Sequence, residues 1–251
     1  MQVVVQSLLT HYEITGKGKV LLLLHGWGDN LNTYDKLTIE LANNYQIVRL
    51  DLPGFGQTEA PPIAWKLDNY AGFVQDFLLK LGVHEIFAIV GHSNGGALAI
   101  RAAASGNLKA EKLVLLAASG VRDTARLKKR LTKAVSKTGK VATFWLPKTT
   151  RQGLQKKFYG TIGSDFLAAP HMQETFKLTV RQDIQHDATK ITIPTLLIYG
   201  DKDKATPVES VGRRLSSKIA GSHIKVIPSA DHFVHQVAAN EVAKDIQEFL
   251  I

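Results

Sequence analysis

A serine flanked by glycines is the residue whose surroundings most clearly indicate chemistry. Gly91, Ser93 and Gly95 form a Gly-x-Ser-x-Gly motif, with an apolar run at 86–90 before it and a small-residue helical pattern after it. In a sharp strand-to-helix turn of this kind, the serine hydroxyl is presented at the carboxyl end of the strand and can act as a nucleophile. The alternative is a glycine-rich turn whose serine only caps the following helix. The rest of the chain must supply the partners that a nucleophilic serine needs.

A nucleophilic serine needs a base that takes its proton and an acid that orients the base. After a serine in such a turn, these partners are expected in the order acid, then histidine, each in a loop that follows a strand. Asp201 and Asp203 follow one late apolar strand pattern, and His232 and His235 follow the next. The chain therefore holds a full set of candidates, with two choices for the acid and two for the base.

Strand and helix patterns alternate along most of the chain. This rhythm predicts a mostly parallel sheet that is covered by helices on both faces, after an N-terminal hairpin. The predicted strands cover residues 3–5, 7–14, 19–24, 45–50, 86–90, 112–117, 195–199 and 224–227. Besides the helix that follows Ser93, the predicted helices cover residues 32–41, 67–81, 210–217 and 234–250.

The alternation stops between residues 122 and 190, which have a helical pattern and no aliphatic strand run. The simplest interpretation is an insertion between two sheet strands. Residues 1–121 and 191–251 then form the core, and residues 122–190 form a separate helical segment.

Further motifs accompany the serine along nearly the whole chain. They are His-Gly-x-Gly at 25–28, Asp-x-Pro-Gly-x-Gly at 51–56, Gly-x-x-Asp-x-x-x-Pro at 200–207 and the late histidine. Their types and order resemble the α/β-hydrolase superfamily, in its small, cap-bearing branch. The resemblance implies an α/β fold with a mostly parallel eight-stranded α/β-hydrolase sheet, helices on both faces, and an inserted helical cap formed by residues 122–190.

The resemblance also implies roles for individual residues. It assigns the acid to Asp203, the aspartate of the Gly-x-x-Asp-x-x-x-Pro motif, rather than to Asp201. It assigns the base to His232 rather than to His235, and Asp231 is interpreted as a turn residue. The loop departs from the family pattern, because Ala-Asp precedes the histidine where the family often has a pair of small residues.

The negative charge that develops on a tetrahedral intermediate needs N–H donors in place before the reaction. Asn94 follows the serine at a helix N-terminus and supplies one donor by its backbone. The resemblance implies the backbone N–H of Trp27 as the second donor, with the Trp27 ring lining the pocket. It also favours a structural role for His25, beneath the same loop. Aromatic residues are expected on the underside of the cap, at Phe144, Trp145, Phe158, Tyr159, Phe166 and Phe176.

Composition indicates an ordinary globular protein. The 251 residues are 45% hydrophobic and 21% charged, which suits a single domain with a full core, and the absence of cysteine excludes disulfides and thiolate chemistry. The N-terminus lacks the pattern of a signal peptide, and no apolar run reaches the roughly 20 residues of a membrane span. We therefore expect a cytoplasmic protein without a transmembrane segment.

The formal net charge of +9 is concentrated in the inserted segment. Residues 122–190 contain 15 Lys and Arg against 5 Asp and Glu, and Leu127, Leu131 and Val135 recur there at four-residue spacing. This spacing predicts an amphipathic helix with a basic outer face. The face has three explanations: a solvated surface, a weak attraction to anionic lipid or nucleic acid, and the attraction of anionic substrates.

Within the superfamily that the chain resembles, a serine nucleophile argues against the haloalkane dehalogenases and epoxide hydrolases, which use aspartate at the same position. It leaves esterases, lactonases, thioesterases, peptidases, cofactor-free haloperoxidases and hydrolases of carbon–carbon bonds. The last group usually has tryptophan after the catalytic histidine, where this chain has Phe233. We therefore expect a carboxylesterase for small-molecule esters, with no cofactor and no metal.

Two other classes of function remain open. One is a ligand-sensing protein that keeps the triad but turns over slowly. The other is a nucleic-acid or membrane-binding protein that uses the basic segment, for which salt-dependent retention on heparin should persist in Ser93→Ala.

Overall fold

An eight-stranded sheet forms the centre of the computed structural model, which describes residues 1–122 and 169–251. Its strands are β1 (Gln2–Val5), β2 (Leu8–Thr15), β3 (Val20–Leu24), β4 (Gln46–Leu50), β5 (Ile86–His92), β6 (Ala110–Leu116), β7 (Thr195–Gly200) and β8 (His223–Ile227). The order across the sheet is β1-β2-β4-β3-β5-β6-β7-β8. β2 is antiparallel to both of its neighbours, and the other adjacent pairs are parallel. The predicted mostly parallel eight-stranded sheet is confirmed.

Burial explains why the central strands are continuous aliphatic runs. Leu21–Leu24 of β3 are fully shielded from solvent, and every residue of β5 is buried. A strand that is covered on both faces has no exposed side on which polar residues would be favourable. The predicted N-terminal hairpin is present as β1 and β2, and its two-residue turn at Gln6 and Ser7 has positive φ angles of 47° and 64°. Such turns match the right-handed twist of the two strands.

Helices cover both faces of the sheet. They are α1 (Asp35–Leu41), α2 (Leu67–Lys80), α3 (Asn94–Ser105), α4 (Gln173–Val180), α5 (Gln185–Ala188), α6 (Arg213–Ser216), α7 (Val234–Val237) and α8 (Ala239–Leu250). Leu37 of α1 and Ile246 of α8 belong to a buried cluster with Leu21 and Leu23 of β3. α2 and α3 pack against each other, and α3 contacts β5. The helices on the two faces hold the central strands in place, and with them the loops that follow the carboxyl ends of these strands.

The predicted C-terminal helix over 234–250 is wrong in one respect, because it is broken. Ala238 has φ −130° and ψ 41°, outside the helical region, and separates α7 from α8. The break allows α7 to bury Val234 and His235 while α8 buries an apolar face with Val242 and Ile246. The predicted helix at 32–41 begins with a 3₁₀-helical turn at Leu31–Tyr34. The predicted helix at 210–217 begins with a π-helical turn at Val208–Gly212.

Contacts between Cα atoms divide the chain into two compact units. One consists of Met1–Val121 and His171–Ile251 and contains the whole sheet, and the other is Arg122–Pro170. The division into a core of 1–121 and 191–251 and a cap of 122–190 stays a prediction. The predicted basic helix at 127–137 lies outside the described residues. Among the helices in residues 1–122 and 169–251, none is long and apolar enough to cross a bilayer.

Candidate active site

Ser93 occupies the sharp turn between β5 and α3. Its φ of 51° and ψ of −115° are values that residues with a side chain rarely adopt. Two hydrogen bonds hold the strained backbone: the Ser93 N–H donates to the Leu116 carbonyl and the Ser119 N–H donates to the Ser93 carbonyl, both at 3.0 Å. The turn therefore presents the hydroxyl beyond the end of the strand instead of burying it in the helix.

The flanking glycines permit this turn because the backbone passes too close for a side chain. A Cβ atom on Gly91 would lie 2.5 Å from the carbonyl oxygen of Gly95. A Cβ atom on Gly95 would overlap the carbonyl oxygen of Leu24, at the end of β3. The Gly-x-Ser-x-Gly spacing thus reflects close packing of the turn on the neighbouring strand.

His232 lies in the loop between β8 and α7 and contacts both other members of the predicted triad. Its Nε2 atom is 2.9 Å from Ser93 Oγ, and its Nδ1 atom is 2.8 Å from Asp203 Oδ2. Because an ionised carboxylate only accepts hydrogen bonds, Nδ1 carries the proton. In the neutral ring, Nε2 is then unprotonated and can accept the proton of the Ser93 hydroxyl.

Asp203 is buried at the turn that follows β7 and is surrounded by donors. Its Oδ1 atom accepts the N–H groups of Ala205 and Thr206, at 2.8 and 2.9 Å, and its Oδ2 atom accepts the Thr206 hydroxyl at 2.7 Å. Burial raises the pKa of Asp203. The hydrogen bond from His232, the positive charge of the His232 ring and the hydrogen bonds from Thr206 together outweigh burial, so the pKa is lowered from its ordinary value. The carboxylate is therefore held in its ionised form.

The structure does not bring the alternative acids and base to the serine. Asp201 is exposed at the start of the same turn, and Asp231 accepts the N–H of Phe233 at 2.9 Å, as a turn residue does. His235 is fully buried, with Nε2 at 2.9 Å from Thr33 Oγ1. Only Asp203 and His232, of these candidates, form a continuous relay with Ser93.

The backbone N–H groups of Trp27 and Asn94 are both available near the nucleophile. Asn94 is the first residue of α3, where helix N–H groups have no partner within the helix. Across residues 1–122 and 169–251, neither N–H donates a hydrogen bond. A Cβ atom on Gly26 would lie 3.2 Å from the Cβ atom of Ser93, so the loop that carries Trp27 packs directly on the serine.

Histidine and aromatic side chains support this loop. The N–H of Leu52 donates to His25 Nε2 at 2.9 Å, so His25 carries its proton on Nδ1 and donates it to the Gly26 carbonyl at 2.7 Å. These bonds connect two loops and leave His25 no free nitrogen for catalysis. The Trp27 ring packs on Phe55 and Phe176, with ring centroids 4.8 and 5.1 Å away. The other predicted pocket aromatics lie outside the described residues, at Phe144, Trp145, Phe158, Tyr159 and Phe166.

In the described part of the chain, residues 1–122 and 169–251, no group of three His, Asp or Glu side chains is arranged to hold a metal ion.

Sequence reasoning missed two residues that contact the triad. Thr206 could have been found, because an aspartate followed closely by threonine often forms a side-chain turn of this kind. His92 occupies a variable position of the serine motif, and its Nε2 atom lies 3.0 Å from the carbonyl oxygen of His232. That contact joins residues 140 positions apart, and no local pattern signals it.

Comparisons with known proteins identify the family of the chain. A family model described as the alpha/beta hydrolase fold matches residues 19–239. The chain is 29% identical to a pimeloyl-[acyl-carrier protein] methyl ester esterase of Neisseria meningitidis, over 85% of this chain and 71% of that protein. It is 25% identical to a non-heme chloroperoxidase of Kitasatospora aureofaciens, over 95% and 94% of the two chains.

Solved structures show the same fold. A thermophilic esterase from Thermogutta terrifontis superposes with a TM-score of 0.75, covering 100% of this chain and 97% of that chain. The sequence identity of this pair is 22%, so the likeness concerns the fold alone.

Proposed function

Because the chain belongs to the α/β-hydrolase family, we propose that it is a serine hydrolase that cleaves carboxylic esters of small molecules through an acyl-enzyme on Ser93. The relay of Ser93, His232 and Asp203 carries the proposal, with contacts of 2.9 and 2.8 Å. A relay of this geometry is the arrangement by which proteins make a serine hydroxyl nucleophilic at neutral pH.

Each step of the reaction uses a group in this relay. As Ser93 Oγ bonds to the ester carbonyl carbon, its proton passes to His232 Nε2, and Asp203 stabilises the resulting imidazolium. The carbonyl oxygen gains negative charge, and we assign its stabilisation to the backbone N–H groups of Trp27 and Asn94. The C–O bond to the alcohol then breaks, and the alcohol leaves with the proton from His232. Water, deprotonated by the same nitrogen, attacks the acyl-enzyme; the bond between the acyl carbon and Ser93 Oγ then breaks, Ser93 Oγ takes the proton back from His232, and the acid is released.

An ester is the substrate that makes the fewest demands on this site. Esters, thioesters and lactones all react at a carbonyl with a leaving group that needs one proton, which His232 can supply. The relative named as a methyl ester esterase supports the choice among them. A site for carbon–carbon cleavage or halide oxidation requires further groups, and nothing in the relay provides them.

The test is hydrolysis of p-nitrophenyl esters of increasing acyl length, together with lactones and thioesters, and labelling by a fluorophosphonate probe. We expect the wild type to turn over esters repeatedly and to be labelled, and Ser93→Ala to do neither. Ser105→Ala is the matched control, because Ser105 lies at the other end of α3, where its hydroxyl contacts the Ala102 carbonyl and Asn107.

Three outcomes would contradict the proposal. A folded wild type without turnover or labelling means that the relay is not functional. Labelling that persists in Ser93→Ala places the nucleophile elsewhere. A single equivalent of product followed by arrest favours a slow-turnover sensor over an esterase.

A further inference from the structure

His92, the residue before the serine, has a buried side chain to which the proposed reaction gives no role. Its Nε2 atom lies 3.0 Å from the carbonyl oxygen of His232, and since a carbonyl only accepts hydrogen bonds, this nitrogen carries the proton. The rings of the two histidines are in contact, with centroids 4.9 Å apart. His92 therefore connects the end of β5 to the backbone of the residue that acts as the base.

A second buried histidine packs behind His92. The ring of His235 has its centroid 4.3 Å from that of His92, and its Nε2 atom lies 2.9 Å from Thr33 Oγ1. Thr33 Oγ1 accepts a hydrogen bond from Gln236 Nε2 at 2.6 Å, so its single proton is free to pair with His235 Nε2. The two rings thus form a buried support between the serine turn, α7 and the segment that follows the Trp27 loop.

Both rings are held neutral by their surroundings. Burial, with the like charges of neighbouring histidines, lowers the pKa of His92 well below its ordinary value and lowers that of His235 to about 3. A neutral His92 has one N–H group, and the His232 carbonyl is its partner. The ring consequently acts as a fixed donor and does not exchange protons during the reaction.

The loop that carries His232 is attached two residues before the histidine, where the Lys202 N–H donates to the Ala230 carbonyl at 3.0 Å, whereas His92 binds the carbonyl of His232 itself. It lies between β8 and α7, and Ser229 within it has a positive φ of 60°. The imidazole itself contacts Ser93, Asp203 and the Thr206 hydroxyl, but its bonds to Ser93 and Asp203 must change as the proton moves. A carbonyl anchored from β5 would keep the base aligned with Ser93 throughout that movement.

We propose that His92 is a positioning residue whose Nε2–H group, bonded to the His232 carbonyl, holds the base at its distance from Ser93. The proposal rests on the proposed function, because it assigns His232 as the base. A displacement of about 1 Å in a reacting group can lower a rate by on the order of 100-fold. The role is in alignment and not in substrate binding, so it should appear in kcat and not in KM.

The test compares His92→Phe, which fills the space without a donor, with His92→Gln, whose amide nitrogen falls close to the position of Nε2. We expect His92→Phe to lower kcat for a p-nitrophenyl ester by roughly 10- to 100-fold with little change in KM. His92→Gln should recover most of the loss. Phe77→Leu is the control for general destabilisation, because Phe77 is buried in α2 and packs on Tyr12. It should lower the melting temperature and leave kcat unchanged.

A measurement that does not need turnover separates this proposal from the proposed function. The Nδ1 proton of His232, hydrogen-bonded to Asp203, should give a far-downfield proton NMR signal that is absent from His232→Gln. We expect the signal to persist in His92→Gln and to broaden or disappear in His92→Phe. If the wild type has the signal but hydrolyses nothing, the proposed function fails and the comparison of variants still decides the role of His92.

Two results would overturn the positioning role. One is a His92→Phe protein with wild-type kcat and an unchanged signal. The other is an equal loss of kcat in the Phe and Gln variants that follows their melting temperatures, which indicates packing alone. Should His92→Phe not fold, His92→Asn replaces it, because its shorter amide cannot reach the carbonyl, and the same two results apply.

Discussion

Thr206 shows how one residue can stabilise the charge of the proposed catalytic acid, Asp203. Its N–H donates to Asp203 Oδ1 and its hydroxyl to Asp203 Oδ2, while the Ala117 carbonyl lies 3.0 Å from the same hydroxyl. The hydroxyl has one proton, and a charged acceptor binds it more strongly than a neutral one. Thr206 therefore stabilises the ionised carboxylate that orients His232.

We expect Thr206→Val to lower kcat by about ten-fold and to leave KM unchanged. The change keeps the shape of the side chain but removes one hydrogen bond to a charged group, which is worth about 1.5–3 kcal/mol. It also removes the contact of the hydroxyl with His232 Nδ1 at 3.2 Å. The N–H groups of Ala205 and Thr206 still donate to Asp203, so the carboxylate should stay in place while its ionised form is less stabilised. Steady-state ester hydrolysis measures the effect. Thr10→Val is the matched control, because the buried Thr10 hydroxyl donates to the Leu8 carbonyl, in the N-terminal hairpin. Equal kcat values in the two variants would contradict the role of Thr206.

At the scale of elements, the contact between the serine turn and β3 fixes where α3 begins. Gly95 lies in the first turn of α3, directly against the Leu24 carbonyl, whereas Gly72 lies inside α2 with open space where a Cβ atom would be. The same substitution therefore tests two different roles of glycine.

Gly95→Ala should lower the free energy of unfolding by roughly 3 kcal/mol or more, because the added methyl group must push the helix off the strand. Gly72→Ala should raise it by up to about 1 kcal/mol, since alanine is the better helix former and meets no obstacle. Urea unfolding of both variants measures the difference. A Gly95→Ala protein as stable as the wild type would mean that the turn does not pack on β3 as described.

The sequence predicted those strands, turns and helices that depend on neighbouring residues along the chain. The aliphatic runs of β3 and β5 and the small residues after Ser93 were sufficient to predict the strands, the turn and the start of α3. They could not predict the break at Ala238, because alanine favours a helix and the break depends on how α7 and α8 pack on different partners. The proposed triad came from motif order together with the family resemblance, whereas the contacts of His92 with His232 and of His235 with Thr33 depend on the folded chain.

At the scale of the whole molecule, several histidines are buried without charge. Burial lowers the pKa values of His25, His92 and His235, the last to about 3. In the unfolded chain, each of these rings titrates near its ordinary value of 6.5. The folded protein therefore binds fewer protons than the unfolded chain at mildly acidic pH, and this difference must appear in its stability.

The sign of the effect follows from proton linkage. Above pH 6.5 both states are neutral at these rings and stability is complete. As pH falls from 6.5 towards the folded pKa of about 3, only the unfolded chain takes up the His235 proton, so the free energy of unfolding falls by about 1.4 kcal/mol per pH unit for this group.

Chemical denaturation at about pH 7, 6 and 5 should show this loss, and His235→Gln should reduce the slope of unfolding free energy against pH by that amount. The glutamine amide can still bond to Thr33, so the variant should fold. Identical slopes in the two proteins would show that His235 binds its proton equally well in the folded and unfolded chains.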